Sequence, residues 1–84
     1  MKDKVLVEVI VPSIEENYDV YIPVRRKVGN VIELISKAIF ELTDGIFINS
    51  EQTMLYDYET GNPYPIDVII KDTTIRNGSK VILF

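Results

Sequence analysis

The residues of this chain that could do chemistry are carboxylates and hydroxyls, and none stands beside a group that would activate it. Asp57 and Glu59 lie two apart, and Glu15 and Glu16 are adjacent. Such carboxylate pairs can hold a hard cation or pass a proton. Both fall in stretches that read as turns or strand ends, where acidic side chains are ordinary solvated groups. Ser13, Ser36, Ser50 and Ser79 are the hydroxyl candidates, but the chain has no histidine to take their proton. It has no cysteine either, which removes disulfides and thiolate ligands and fits a reducing cytoplasm. No glycine-rich phosphate loop occurs. The sequence therefore predicts no catalytic residue, no cofactor and no metal. Arg25, Arg26 and Lys27 form the one concentrated basic cluster. It is either a contact for an acidic partner or a solvated turn between two elements.

Composition narrows the remaining classes. A chain of 84 residues has room for one core. Its hydrophobic share of 46% is enough to fill that core, so disorder is not expected. A net charge of −4 argues against nucleic acid or an anionic membrane as partner. No apolar run approaches the length of a bilayer span, and the opening Met1-Lys2-Asp3-Lys4 is unlike a secretion signal. These features predict a soluble, acidic, intracellular domain.

The element that organises the chain is a helix over residues 28–43. Val28, Val31, Ile32, Ile35, Ala38, Ile39 and Leu42 recur three or four apart and form one apolar stripe, while Glu33, Ser36, Lys37 and Glu41 face water. Gly45 suits the left-handed turn that ends a helix. A lone amphipathic helix needs a sheet to cover. Lys4–Val11 reads as a strand with Val5, Val7, Val9 and Val11 on the core side. Residues 19–25 read as a second, with Val20, Ile22 and Val24 inward and Pro23 where an N–H is not needed. The short acidic link makes the two an antiparallel hairpin.

After the helix, residues 44–51 read as a loop with Ile46, Phe47 and Ile48 tucked under the sheet edge. Residues 52–58 read as a strand with Met54, Tyr56 and Tyr58 inward and Leu55 outward, the opposite register being the alternative. A tight reversal at 59–62 leads to a short edge strand at 63–67 carrying Pro63 and Pro65. Residues 68–75 are either one helical turn or an irregular crossover. Asn77-Gly78 is a turn, and residues 80–84 form a last apolar strand suited to the middle of the sheet.

Hairpin, helix, shorter strands, crossover and final strand together resemble the ubiquitin-like β-grasp fold. The resemblance takes in nearly the whole chain, so residues 1–84 read as a single ubiquitin-like domain. The run Asp72-Thr73-Thr74-Ile75-Arg76-Asn77-Gly78-Ser79-Lys80-Val81-Ile82-Leu83 is similar to the ubiquitin-like ending, in which an apolar residue precedes a polar-glycine turn into the last strand. The expectation is an α+β domain with a mixed sheet of four or five strands and one helix across one face. Within that superfamily, Val28-Gly29-Asn30-Val31-Ile32-Glu33-Leu34 and the chain length look most like the bacterial YukD/EsaB proteins. That resemblance implies a non-enzymatic cytoplasmic accessory of type VII (ESX/WXG100) secretion, with components of that machinery as partners. Ubiquitin-type modifiers and sulfur carriers of this fold end in Gly-Gly, whereas this sequence ends Val81-Ile82-Leu83-Phe84. A covalent modifier or carrier is accordingly the alternative that the resemblance disfavours.

With a helix on one face of the sheet, Leu6, Ile10, Tyr21 and Leu55 are expected to project from the other. An exposed apolar face with an aromatic anchor suits docking of a protein partner or of a second copy of the chain. These four are the candidate partner-binding residues.

Overall fold

A computed structural model describes residues 3–84. Met1 and Lys2, which belong to the opening read above as unlike a secretion signal, lie outside the described residues. Strand β1 (Lys4–Val11) and strand β2 (Glu16–Pro23) pair antiparallel in full register, from Lys4 opposite Pro23 to Val11 opposite Glu16. One 3-10 turn, Pro12–Ile14, joins them, and Glu15 takes the left-handed backbone that closes so short a link. The connection is tighter than the polar stretch predicted, so β2 starts earlier than residue 19.

Helix α1 (Val28–Leu42) follows. Lys27, at its N-cap, offers no side-chain acceptor, and the first N–H groups are satisfied otherwise. Val28 donates to the carbonyl of Val68 at 2.8 Å and Gly29 to that of Ile66 at 3.0 Å. At the other end Gly45, with φ of 84°, donates its N–H to the Phe40 carbonyl at 2.8 Å, the helix stop expected of it. The stripe packs as the spacing requires through Val28, Val31, Ile32, Ile35 and Ile39, but it differs from the prediction at two places. Ser36 is buried, whereas Leu42 is 67% exposed because it lies in the last turn, beyond the edge of the core.

Strands β3 (Leu55–Asp57) and β4 (Lys80–Leu83) complete a four-stranded mixed sheet in the order β2-β1-β4-β3. β4 runs parallel to β1 and antiparallel to β3, so first and last strands lie side by side in the middle, as expected. The loop between α1 and β3 is pinned by Thr43. Its hydroxyl donates to the Ile39 carbonyl at 2.8 Å and accepts the Phe47 N–H at 3.1 Å. That swings Phe47 into the core. Ile46 and Ile48, expected beside it, are 73% and 75% exposed.

Residues 63–67 are not a strand. Pro63 makes a single bridge to Tyr56, and Tyr64 donates its N–H to the Leu55 carbonyl at 2.8 Å. Pro65 then has no N–H with which to continue a ladder. The crossover contains one 3-10 turn, Ile70–Asp72, which buries Ile70. The core lies between α1 and the sheet, with Val7, Val9, Val11, Ile22, Leu55, Val81 and Leu83 contributed by the strands. Among the described residues no helix is long and apolar enough to cross a membrane.

Candidate partner-binding surface

The register decides which side chains leave the sheet away from the helix. Val7, Val9 and Val11 enter the core, so Lys4, Leu6, Glu8 and Ile10 alternate onto the open face. Opposite them on β2 stand Pro23, Tyr21, Asp19 and Asn17, and on β4 Lys80 pairs with Glu8 and Ile82 with Ile10. Tyr56 of β3 stands opposite Ile82. Three rows result. Leu6 and Tyr21 form one apolar row, and Ile10, Ile82 and Tyr56 form another. Between them run Asp19, Glu8 and Lys80, with Asn17 Nδ2 donating to Glu8 Oε2 at 3.0 Å and the Lys80 ammonium 5.4 Å from the Tyr58 ring centre.

Three of the four predicted residues therefore share this face. Tyr21 is 54% exposed, while Leu6 and Ile10 are half-buried by their row neighbours. Leu55 does not belong there. It is 0% exposed and sits in the core, because β3 takes the register opposite to the one expected. The reason is its pairing: Leu55 stands opposite Leu83, which also points at the helix, and Tyr56 opposite Ile82 on the open side. Ile82 and Tyr56 are the members that sequence reasoning missed. Had the last strand been used to phase the third, the alternation of Val81, Ile82 and Leu83 would have placed both.

The acidic pairs are part of the local turns. Asp57 Oδ1 accepts the N–H of Glu59 at 2.9 Å, and the Asp57 carbonyl accepts that of Gly61 at 2.8 Å, closing the reversal after β3. Beside that turn Tyr64 is buried, its hydroxyl 3.2 Å from that of Thr74. Burial pushes the Tyr64 phenol above its ordinary value of 10.0, against the hydrogen bond to Thr74, with the Asp57 and Glu59 carboxylates adding to the rise. A raised phenol pKa keeps the group neutral, the reverse of an activated nucleophile. In the basic cluster Arg25 Nε donates to Asp3 Oδ1 at 3.0 Å, an exposed pair that ties the guanidinium back to the start of β1.

No family model matches this sequence, and no curated protein matches it. Solved structures do. The EccD5 ubiquitin-like domain from Mycobacterium xenopi superposes with a TM-score of 0.78 at 11% identity, over 96% of this chain and 92% of that one. The ubiquitin-like domain of the Mycobacterium tuberculosis type VII secretion system protein ECCD1 gives 0.75 at 13% identity, over 95% and 96%. A chain of the toluene 4 monooxygenase HD complex gives 0.78 at 9% identity, over 95% of each. Likeness at such identities, spanning the length of both partners, shows the fold. The chain has the ubiquitin-like β-grasp fold, similar in architecture to the EccD domains of type VII secretion.

Proposed function

We propose that this domain is a non-enzymatic protein-binding module that docks a partner on the open face of its sheet, as a cytoplasmic accessory or regulator of a bacterial type VII secretion system of the YukD/EsaB kind. The observation that carries the binding role is the open face itself, where Leu6, Ile10 and Tyr21 align with Ile82 and Tyr56 on the side of the sheet away from α1. Tyr21 is the natural anchor, since it offers a large rigid surface at small entropic cost. The secretion role draws support from the likeness to the EccD domains over nearly the full length of both. The toluene monooxygenase neighbour favours one second reading, a small subunit attached to an enzyme complex.

Affinity capture of the tagged protein from its native cells tests this, with a Leu6→Asp/Tyr21→Asp variant whose fold is verified by circular dichroism. Recovery of secretion-machinery components by the native protein and their loss with the variant is the expected result. Components that persist with the variant would move the docking site elsewhere. Capture of an oxygenase or another enzyme assembly in their place would favour the second reading.

A further inference from the structure

Strand β2 is an edge of the sheet, with β1 on one side of it and no strand of the described residues on the other. In an antiparallel pair, backbone groups of successive residues point alternately toward the neighbour and away from it. Leu6 and Glu8 direct theirs at the β4 side: Glu8 donates its N–H to the Ser79 carbonyl at 2.9 Å, and the Leu6 carbonyl accepts that of Gly78 at 2.7 Å. Their partners on β2, Tyr21 and Asp19, must therefore turn their N–H and C=O groups outward, and Asn17 follows the same phase. Pro23 is in phase too, so the ring sits where β1 requires no donor, and its carbonyl remains free to accept. Alongside this edge runs an apolar groove between β2 and α1. Val20 and Ile22 line one side, Leu34, Ile35 and Ala38 the other, with Lys4 and Arg26 at the Pro23 end. Leu34 is half-exposed there despite its size. An edge of this sort ordinarily invites a partner unless it is blunted.

We propose that the occupant is a second copy of the chain, with β2 pairing antiparallel to β2 across a two-fold axis near Val20. The charge pattern argues for this partner. Acidic Glu15 and Glu16 stand at one end of β2, and Arg25 and Arg26 just beyond the other. Reversing the strand lays each acidic end beside the basic end of the second copy, which is the self-complementarity a two-fold interface needs. With Asp19 opposite Tyr21 of the second copy, both residues exchange N–H and C=O bonds, and Asn17 donates to the free Pro23 carbonyl. Val20 then meets Val20 of the second copy on the helix side of the joined sheet, and Leu34 and Ala38 of each groove are covered by the other. This interface shares Tyr21 and Asp19 with the open face but takes their backbone edge and the groove on the helix side, so variants at Leu34 and at Ile82 separate this inference from the proposed function.

Analytical ultracentrifugation across a wide concentration range, together with amide shifts of the 15N-labelled chain on dilution, tests it. A reversible dimer is expected, with dilution shifts at Asn17, Asp19, Tyr21, Leu34 and Ala38. Leu34→Asp should weaken it by at least about tenfold. Glu16→Lys alone and Arg26→Glu alone should each weaken it, and mixing these two variants should restore association, which a mere loss of folding could not do. Ile82→Asp, on the open face, should leave it within about twofold. A strictly monomeric protein at millimolar concentration would overturn the proposal. So would a dimer that Ile82→Asp abolishes and Leu34→Asp spares, or charge variants that fail to rescue one another.

Discussion

Ile35 and Leu42 are indistinguishable in the helical stripe, being seven residues apart, yet the fold treats them in opposite ways. Ile35 is 1% exposed in the core, and Leu42 is 67% exposed in the last turn of α1. Ile35→Ala removes buried methyl and methylene groups and leaves a cavity that its neighbours only partly fill, which costs about 2–5 kcal/mol. A domain of 84 residues holds roughly 0.05–0.15 kcal/mol of stability per residue, or about 4–13 kcal/mol. A loss near 3 kcal/mol is therefore a large share of the total and should lower Tm by roughly 12–24 °C. Leu42→Ala exchanges one good helix former for another and gives up little burial, so its effect should stay within about 0.5 kcal/mol. Urea denaturation followed by far-ultraviolet circular dichroism separates the two, provided the m-value is unchanged. Equal losses for both variants would refute the placement of α1 on the sheet. A loss below about 1 kcal/mol for Ile35→Ala would do so as well.

Ser36 and Tyr64 give two further tests. The Ser36 hydroxyl is buried without a hydrogen-bond partner among the described residues, so Ser36→Ala should leave stability unchanged or raise it by about 1 kcal/mol in the same denaturation assay. Tyr64 has a folded-state pKa above its ordinary 10.0. Above that pH the unfolded chain gives up the phenol proton while the folded chain keeps it, so stability should fall as pH rises past 10. Tyr64→Phe should flatten that alkaline decline while losing roughly 0.5–1.5 kcal/mol at neutral pH with the Thr74 hydrogen bond. Denaturation curves between pH 8 and 11 would show both effects, and an unchanged alkaline slope would mean the phenol is not confined by the fold.

Much of the architecture was legible because it is written in periodicity. A valine at every second position of β1 and the three-to-four spacing of α1 each specify a face, and the two faces have only each other to bury against. What escaped was set by contacts distant in sequence. The phase of β3 follows from Leu55 meeting Leu83, and three ordered residues are too few for alternation to declare itself. The start of α1 shows no capping residue because the cap comes from the Ile66 and Val68 carbonyls of the crossover. Phe47, rather than either isoleucine beside it, was chosen by the Thr43 hydroxyl. On the open face the same logic holds: Leu6, Ile10 and Tyr21 follow from the hairpin alone, whereas Ile82 and Tyr56 join them only once β4 is threaded between β1 and β3.

The composition of that face constrains what can bind it. Its apolar residues form two rows rather than one sheet of hydrocarbon, separated by Asp19, Glu8 and Lys80. Glu8 is half-buried and already held by Asn17, and Lys80 leans on Tyr58. A partner with a uniformly apolar surface would strip water from these charges and return no hydrogen bond to them, a cost set against the gain from covering either row. A partner that brings hydrogen-bonding groups to the middle row and apolar side chains to its two flanks keeps the charges satisfied and buries both rows together. Affinity would then come from the flanks around Tyr21 and Tyr56, and discrimination between partners from the row at Glu8 and Lys80. Truncating Tyr21 should lengthen no list of partners and simply weaken binding. Replacing the middle charges by small polar residues should relax which partner is accepted while binding itself persists.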